Sequence, residues 1–329
     1  MFRRTHLASQ RPMSFRSNAL SSVFLGSLLF SGGAQLRAQQ SGTPLDPSVG
    51  VLILAHGADA AWNAPVESLA VQVQRAGVVR GPVGVAYLMG PGAPTHRFQD
   101  QVAELKRRGA QRVVLVPLLV SSYSGHFDQL RYLAGTLDTL DAEMAHHLHM
   151  GGLERVTTTP MVVANGLDDS PELARILSAR AKELAPTDRQ HRALFLMGHG
   201  PNDAGEYATW MRNLRVVADS VRTATGFASV AVELVRDDAP AGVRAEAVKR
   251  SREIIALQYA ATKKDVVVVP ILVSAGDISQ RKLPTDLAGL PITYSGAPLL
   301  PSPDLVHWVE RRVRETVQNA ASGSISPTP

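Results

Sequence analysis

Apolar residues in this chain gather in short unbroken runs rather than in strict alternation. VLILA at 51–55, VGVAYLM at 83–89, RVVLVPLLVS at 112–121 and MVV at 161–163 each read as a strand covered on both faces, the habit of parallel sheets. After the first run come Asn63 and Pro65, a cap and first-turn pair, and then Val66, Leu69 and Val73 at helical spacing. The same order then returns. ALFLMG at 193–198 is followed by the helical stripe Trp210, Leu214, Val217 and Val221, by SVAVELV at 229–235, and by DVVVVPILVS at 265–274, which nearly repeats the earlier third strand. Both copies close with a short strand and a helix opening on Pro-acidic-Leu, at 171–173 and 303–305.

The offset between copies is 143 residues from His56 to His199 and 153 from Pro117 to Pro270, so the loops have changed length while the strands have not. Strands alternating with helices predict the α/β class: two tandem flavodoxin-like domains, each a parallel four-stranded sheet flanked by helices, with a cleft between them. The expected boundaries are 50–187 and 191–318, after a linker at 39–49 and before a disordered tail at 319–329. A long helix is expected after Asp128, with His146, His147 and His149 at its solvated end.

Residues 1–38 read as a secretory signal. Arg3, Arg4, Arg11 and Arg16 precede an apolar run from Ala19 to Phe30, with Ala34 or Ala38 as cleavage points, and translation could equally begin at Met13. The expected destination is secreted or periplasmic, by export of an unfolded chain. The run is too short to span a bilayer, and no membrane span is expected in the mature chain. The charge balance changes with this segment. Of 34 basic residues five lie in 1–38, which holds no acid, and the remaining 29 face 29 acidic ones. A neutral mature protein gives no support for a nucleic-acid partner or an anionic membrane. The chain has no cysteine, so disulfides and thiolate metal sites are excluded. No glycine-rich phosphate loop supports a nucleotide cofactor.

Ligands of such sheets bind beyond the carboxyl ends of the strands where strand order reverses, commonly between the first and third strands. His56 ends the first strand and His126 follows the third, so the pattern predicts that these imidazoles share a crevice. A His-Gly step at a strand end can also be a plain structural turn. Neutral imidazoles ligate borderline divalent metals and accept protons near neutral pH, which suits metal delivery coupled to proton removal.

LILAHG, VVLVPLLVSSYSGH and ANGLDDSPEL resemble the sirohydrochlorin-type class II metal chelatases, across about 50–180 and again across 193–315. The resemblance implies that His56 and His126 bind the incoming metal and are the catalytic pair, with His199 as the second-half counterpart of His56. It implies Co²⁺, Fe²⁺ or Ni²⁺ as substrate, a tetrapyrrole as the other substrate, and no organic cofactor. The chain departs from the family at several points. Ala58 and Pro201 stand where a serine usually follows His-Gly, and the acid expected after strand two is Met89 in the first copy and Arg236 in the second. Asp277 or Ile278 replaces the second copy's Gly-His histidine. Only the first copy keeps both imidazoles.

Arg281 and Lys282 are candidates to grip the substrate's carboxylates, or are simply a solvated basic turn. Asp237 is a further substrate-binding candidate, and with Asp238 it could replace the missing carboxylate. Trp62, Trp210 and Trp308 read as packing residues. A monomer with pseudo-twofold repeats is expected. Two other functions fit less of the pattern: a non-catalytic exported carrier of metal, haem or another tetrapyrrole, and a phosphoryl-transfer enzyme with His56 as nucleophile. The latter needs an arginine just before the histidine, where Ala55 and Gly198 stand.

Overall fold

In the first half, β1 (Val49–Ala55), β2 (Val83–Tyr87), β3 (Arg112–Pro117) and β4 (Met161–Val163) alternate with α1 (Ala60–Ala76), α2 (Phe98–Arg107), α3 (Gly125–Leu133), α4 (Ala142–Met150) and α5 (Pro171–Leu184). In the second, β5 (Ala193–Gly198), β6 (Ser229–Leu234), β7 (Val266–Ile271) and β8 (Ile292–Tyr294) alternate with α6 (Ala204–Thr225), α7 (Ala241–Thr262), α8 (Leu283–Asp286) and α9 (Pro303–Ala321). These elements come from a computed structural model, which describes residues 44–322. The signal at 1–38 lies outside the described residues, as do part of the linker and most of the tail.

Every strand pairing is parallel, and the two sheets share one order, β2-β1-β3-β4 and β6-β5-β7-β8. The order reverses between β1 and β3, so the exits of these two central strands flank a crevice. All seven residues of β1 are buried, as are all six of β5 and of β7, which is why they read as unbroken apolar runs.

Several boundaries differ from the sequence reading: α1 opens at Ala60 behind the Asp59 cap, so Asn63 and Pro65 lie inside it rather than at its start. The first strand starts at Val49, and Leu45 already packs on the core, so the linker is shorter than 39–49. Residues 319–321, expected in the tail, continue α9. The long helix expected after Asp128 is two helices, because the chain turns at Gly135 in the left-handed region (φ 76°) before α4 begins at the Asp141 cap.

The halves are not separable beads. α9, the last helix of the second half, packs on α1, β3 and β4 of the first, and α5, the last helix of the first, packs on α6 and β7 of the second. One apolar core therefore runs through both sheets, from Val51, Ile53 and Val114 to Leu196, Val267 and Trp308. Across the exchanged helices Glu172 accepts from Arg311 at 3.1 and 2.6 Å and from Arg175 at 3.2 Å, and Arg175 reaches Asp304 at 2.6 Å.

Candidate metal site

The imidazole of His56 sits where β1 ends and the chain must turn sharply into α1. Gly57 adopts φ 88°, and a Cβ there would fall 2.3 Å from the Met89 carbonyl, so the glycine of His-Gly is a steric requirement. Buried Asn63 clamps the following turn, accepting from Ala58 N at 2.9 Å and donating to Ala58 O at 3.0 Å. Asp59 caps α1. The second half repeats the turn with Gly200 at φ 82°. Met89 and Arg236 are equivalent in space as in sequence, since Met89 N donates to His56 O at 2.9 Å and Arg236 N to His199 O at 2.6 Å. Neither supplies an acid. Arg236 instead holds the loop after His199, donating to Pro201 O and Asn202 O.

His126 lies in the first turn of α3, whose cap Ser124 accepts from Phe127 N. The loop leading to it is fixed from beneath by Asp168, which accepts from Ser122 N at 2.8 Å and Ser122 Oγ at 2.7 Å, while Ser122 Oγ accepts from Gly166 N. Half two steadies the same loop: Trp210 Nε1 donates to Tyr123 O at 2.6 Å. Reciprocally, Ser274 Oγ donates to Trp62 O at 2.9 Å, so these two tryptophan positions staple the halves together.

His56 and His126 meet edge to face, ring centroids 5.2 Å apart. Their tautomers follow from their partners. His56 Nδ1 is 2.9 Å from the Gly57 carbonyl, which can only accept, so Nδ1 carries the proton and Nε2 keeps its lone pair. Gln129 is buried, and its Nε2 donates to Met144 O at 2.8 Å; its Oε1 therefore faces His126 Nδ1, at 2.9 Å, and accepts from it. His126 also keeps Nε2 free. Burial, then the neighbouring His126 imidazole, pushes the His56 pKa down to about 4, and burial lowers that of His126. Both rings are neutral at pH 7, the form that ligates a metal.

His199 belongs to the same cluster but differs in state. Nδ1 lies 2.7 Å from Gly200 O and Nε2 3.0 Å from an Asp238 oxygen, so both nitrogens face acceptors. Burial opposes its protonation, yet the Asp238 carboxylate outweighs this and raises its pKa; His199 in turn holds Asp238 below the usual carboxylate range. As it stands His199 is a cation paired with Asp238, not a third free lone pair. His199, Asp237 and Asp238 have potential ligand atoms within 4.8 Å of one another, but Asp237 is already committed.

That commitment bears on the expected substrate grip of Asp237, Arg281 and Lys282. The Asp237 side chain is 2% exposed and binds Lys282 and Arg244, the latter at 3.0 Å. Arg281 forms a two-pronged pair with Asp277, both contacts at 2.6 Å, on the exposed surface. Asp237, Lys282 and Arg281 neutralise charges on their own chain, and Asp277, which follows Gly276 as His126 follows Gly125, faces solvent. The carboxylate at the crevice is Asp238, which is also close enough to His56 to favour its protonation. The adjacent acids at the end of the second strand were a legible signal, but which one meets the His199 imidazole was not. Gln129 was missed too, although its spacing of three from His126 on a helix could have pointed to it.

Beside His126 the halves enclose a polar pocket of about 230 Å³, lined among others by Ser122, Asp128 and Arg131 from one half and Glu206 and Thr209 from the other. This is smaller than the roughly 300–1,000 Å³ of ordinary ligand pockets.

Residues 50–184 match the family model CbiX. The fold is similar to that of SirB from Bacillus subtilis, solved with Fe³⁺, at TM-score 0.58 and 15% identity over 83% of this chain and 97% of that one. It is similar at TM-score 0.50 and 18% identity, over 81% and 98%, to CbiX described as the terminal enzyme for biosynthesis of siroheme in denitrifying bacteria. A multi-domain Deinococcus radiodurans protein with structural similarity to chelatases also aligns, at TM-score 0.50 and 16% identity, over 80% of this chain and 54% of its own. No curated protein sequence matches. Residues 50–184 thus match the CbiX family, and the chain as a whole carries two parallel sheets in one order with an imidazole pair at the switch point of the first.

Proposed function

We propose that this chain takes a divalent metal, Co²⁺, Fe²⁺ or Ni²⁺, between His56 and His126 and inserts it into a sirohydrochlorin-like tetrapyrrole lying across the cleft edge. The observation that carries this reading is the pair of half-buried, neutral imidazoles, each with Nδ1 tied to an acceptor and Nε2 free. Insertion replaces two pyrrole N–H protons by one metal ion. When the metal passes to the macrocycle, the two Nε2 lone pairs are released and can take up those protons, with Asp238 as a nearby exit. The His199–Asp238 ion pair stands beside the site without net charge. Export, inferred from residues 1–38, would place this chemistry outside the cytoplasm.

A carrier is the second reading. It is favoured by Met89 and Arg236 standing where the family carries an acid. Both readings are tested by mixing residues 39–329 with sirohydrochlorin and Co²⁺ or Fe²⁺ and following the macrocycle's absorbance. Insertion faster than in buffer, lost in His56→Ala and His126→Ala, supports the chelatase; retention of metal or tetrapyrrole without acceleration supports the carrier.

A further inference from the structure

The segments that follow the third and fourth strands are bonded alike in the two halves. In the first, Leu167 N donates to Leu119 O at 2.9 Å and Asp168 N to Val120 O at 2.9 Å; in the second, Leu299 N donates to Leu272 O at 2.8 Å and Leu300 N to Val273 O at 3.0 Å. These pairs equate Asp168 with Leu300, Gly166 with Pro298 and, two residues beyond Val120 and Val273, Ser122 with Ala275. An arginine from the opposite half closes each copy, Arg312 donating to Gly166 O at 2.9 Å and Arg180 to Pro298 O at 3.1 Å. Contacts that the shared architecture needs are thus present twice.

The bonds around Ser122 are present once. Asp168 accepts from both the Ser122 N–H and its hydroxyl, at 2.8 and 2.7 Å, and Ser122 Oγ accepts from Gly166 N at 2.7 Å, all among buried groups. Asp168 makes these bonds from a backbone at φ 48°, in the left-handed region that favours glycine, which Leu300 does not adopt. Every partner in this knot is lost from the second half, since alanine has no hydroxyl, a leucine side chain no acceptor and proline no N–H. A cavity of about 490 Å³ stands there instead, walled by Ala275 and Pro298 among others, and β7 and β8 form regardless.

The half without the knot is the half without the second imidazole. Ser122 stands on the loop between β3 and α3, two residues before the Ser124 cap and four before His126. We infer that Ser122 and Asp168 are positioning residues for His126: the knot fixes the loop, and with it the start of α3, so that the imidazole is held against His56 before the metal arrives. The inference rests on the reading of the His56–His126 pair as the metal site. The two residues touch neither ring. Gln129 sets the rotation of the His126 imidazole, whereas the knot sets where the helix that carries it begins. A strained backbone and a buried carboxylate that the fold can do without are thereby given a use in ligand geometry.

The test combines Co²⁺ titration of the purified chain, thermal unfolding, and pulsed electron paramagnetic resonance of the Cu²⁺ form, which counts coordinated imidazoles. Ser122→Ala and Asp168→Gly are expected to weaken Co²⁺ binding about tenfold, the lower range for groups that support a ligating imidazole, and to remove one coupled imidazole. Their unfolding temperatures without metal are expected to stay close to wild type, because glycine suits the backbone at Asp168 and the second half folds with alanine at the other position. Asp168→Asn, whose amide oxygen can still accept from Ser122 N, is expected to restore most of the affinity. Wild-type binding with two coupled imidazoles in Ser122→Ala and Asp168→Gly, while His56→Ala and His126→Ala lose binding, overturns the inference and spares the metal-site reading. Weakened binding that follows a lowered unfolding temperature, without rescue by Asp168→Asn, also overturns it, since the knot would then serve the fold alone. Wild-type binding by His56→Ala and His126→Ala would remove the metal-site reading, and this inference with it.

Discussion

His56 and His199 occupy the same place in the two sheets and make the same Nδ1 contact to the following glycine carbonyl, yet one is neutral and the other charged. The difference lies at Nε2. Asp238 meets that of His199 at 3.0 Å, whereas His56 faces another imidazole. One carboxylate thus separates a residue able to bind metal from one holding a fixed positive charge.

The depressed pKa of His56 sets a pH window. The folded chain resists protonating this ring until pH about 4, while the unfolded chain protonates it near 6.5. Its contribution to stability is full above 6.5 and declines as pH falls through 4, at up to about 1.4 kcal/mol per pH unit between those values. Urea unfolding from pH 7.5 to 4 is expected to show a shallower acid loss in His56→Gln than in wild type. Co²⁺ affinity of the wild-type pair is likewise expected to withstand acid below the ordinary histidine range.

Replacing Asp238 by Asn removes the anion that holds the second proton on His199. The expected result is a downward shift of the His199 pKa and a neutral ring at pH 7, read from its ¹⁵N resonances. An unshifted His199 would show that the cation is maintained by something other than Asp238.

Gln129→Leu leaves His126 Nδ1 without its acceptor and removes the side-chain donor to Met144 O. Metal affinity is expected to fall roughly 10–100-fold, as for other groups that orient a ligating histidine. Calorimetric Co²⁺ titration checks this, with thermal unfolding as the control for a purely structural loss.

Arg311→Met leaves the Glu172 carboxylate, whose side chain is 6% exposed, paired with Arg175 alone. Loss of up to about 3 kcal/mol is expected, the low end for breaking a buried pair because Arg311 is itself 31% exposed. Since α5 and α9 cross between halves, unfolding is expected to remain a single transition in calorimetry.

The strands were legible because burial on both faces writes them as apolar runs, and the imidazole pair was legible because strand order alone brings the exits of β1 and β3 together. What escaped depended on facts carried by no local pattern. The exchange of α5 and α9 is a choice between two equally apolar surfaces, which an amphipathic stripe such as Leu173–Ile176–Leu177 does not record. Lys282 and Arg281 looked available because their acidic partners are distant in sequence or already solvated. The break between α3 and α4 escaped because the turn at Gly135 is one glycine in an otherwise helix-like stretch.

The crossing of α5 and α9 bears on how such a chain can drift. A half that has lost its own imidazole pair would be dispensable if it were a bead on a string. Here deleting it would uncover β3 and β4, which lean on a helix made last, and the surviving half would forfeit its floor. The second copy is free to lose chemistry but not presence, and its ligand positions can be recruited for ion pairs such as Arg281–Asp277 while its architecture stays under full constraint.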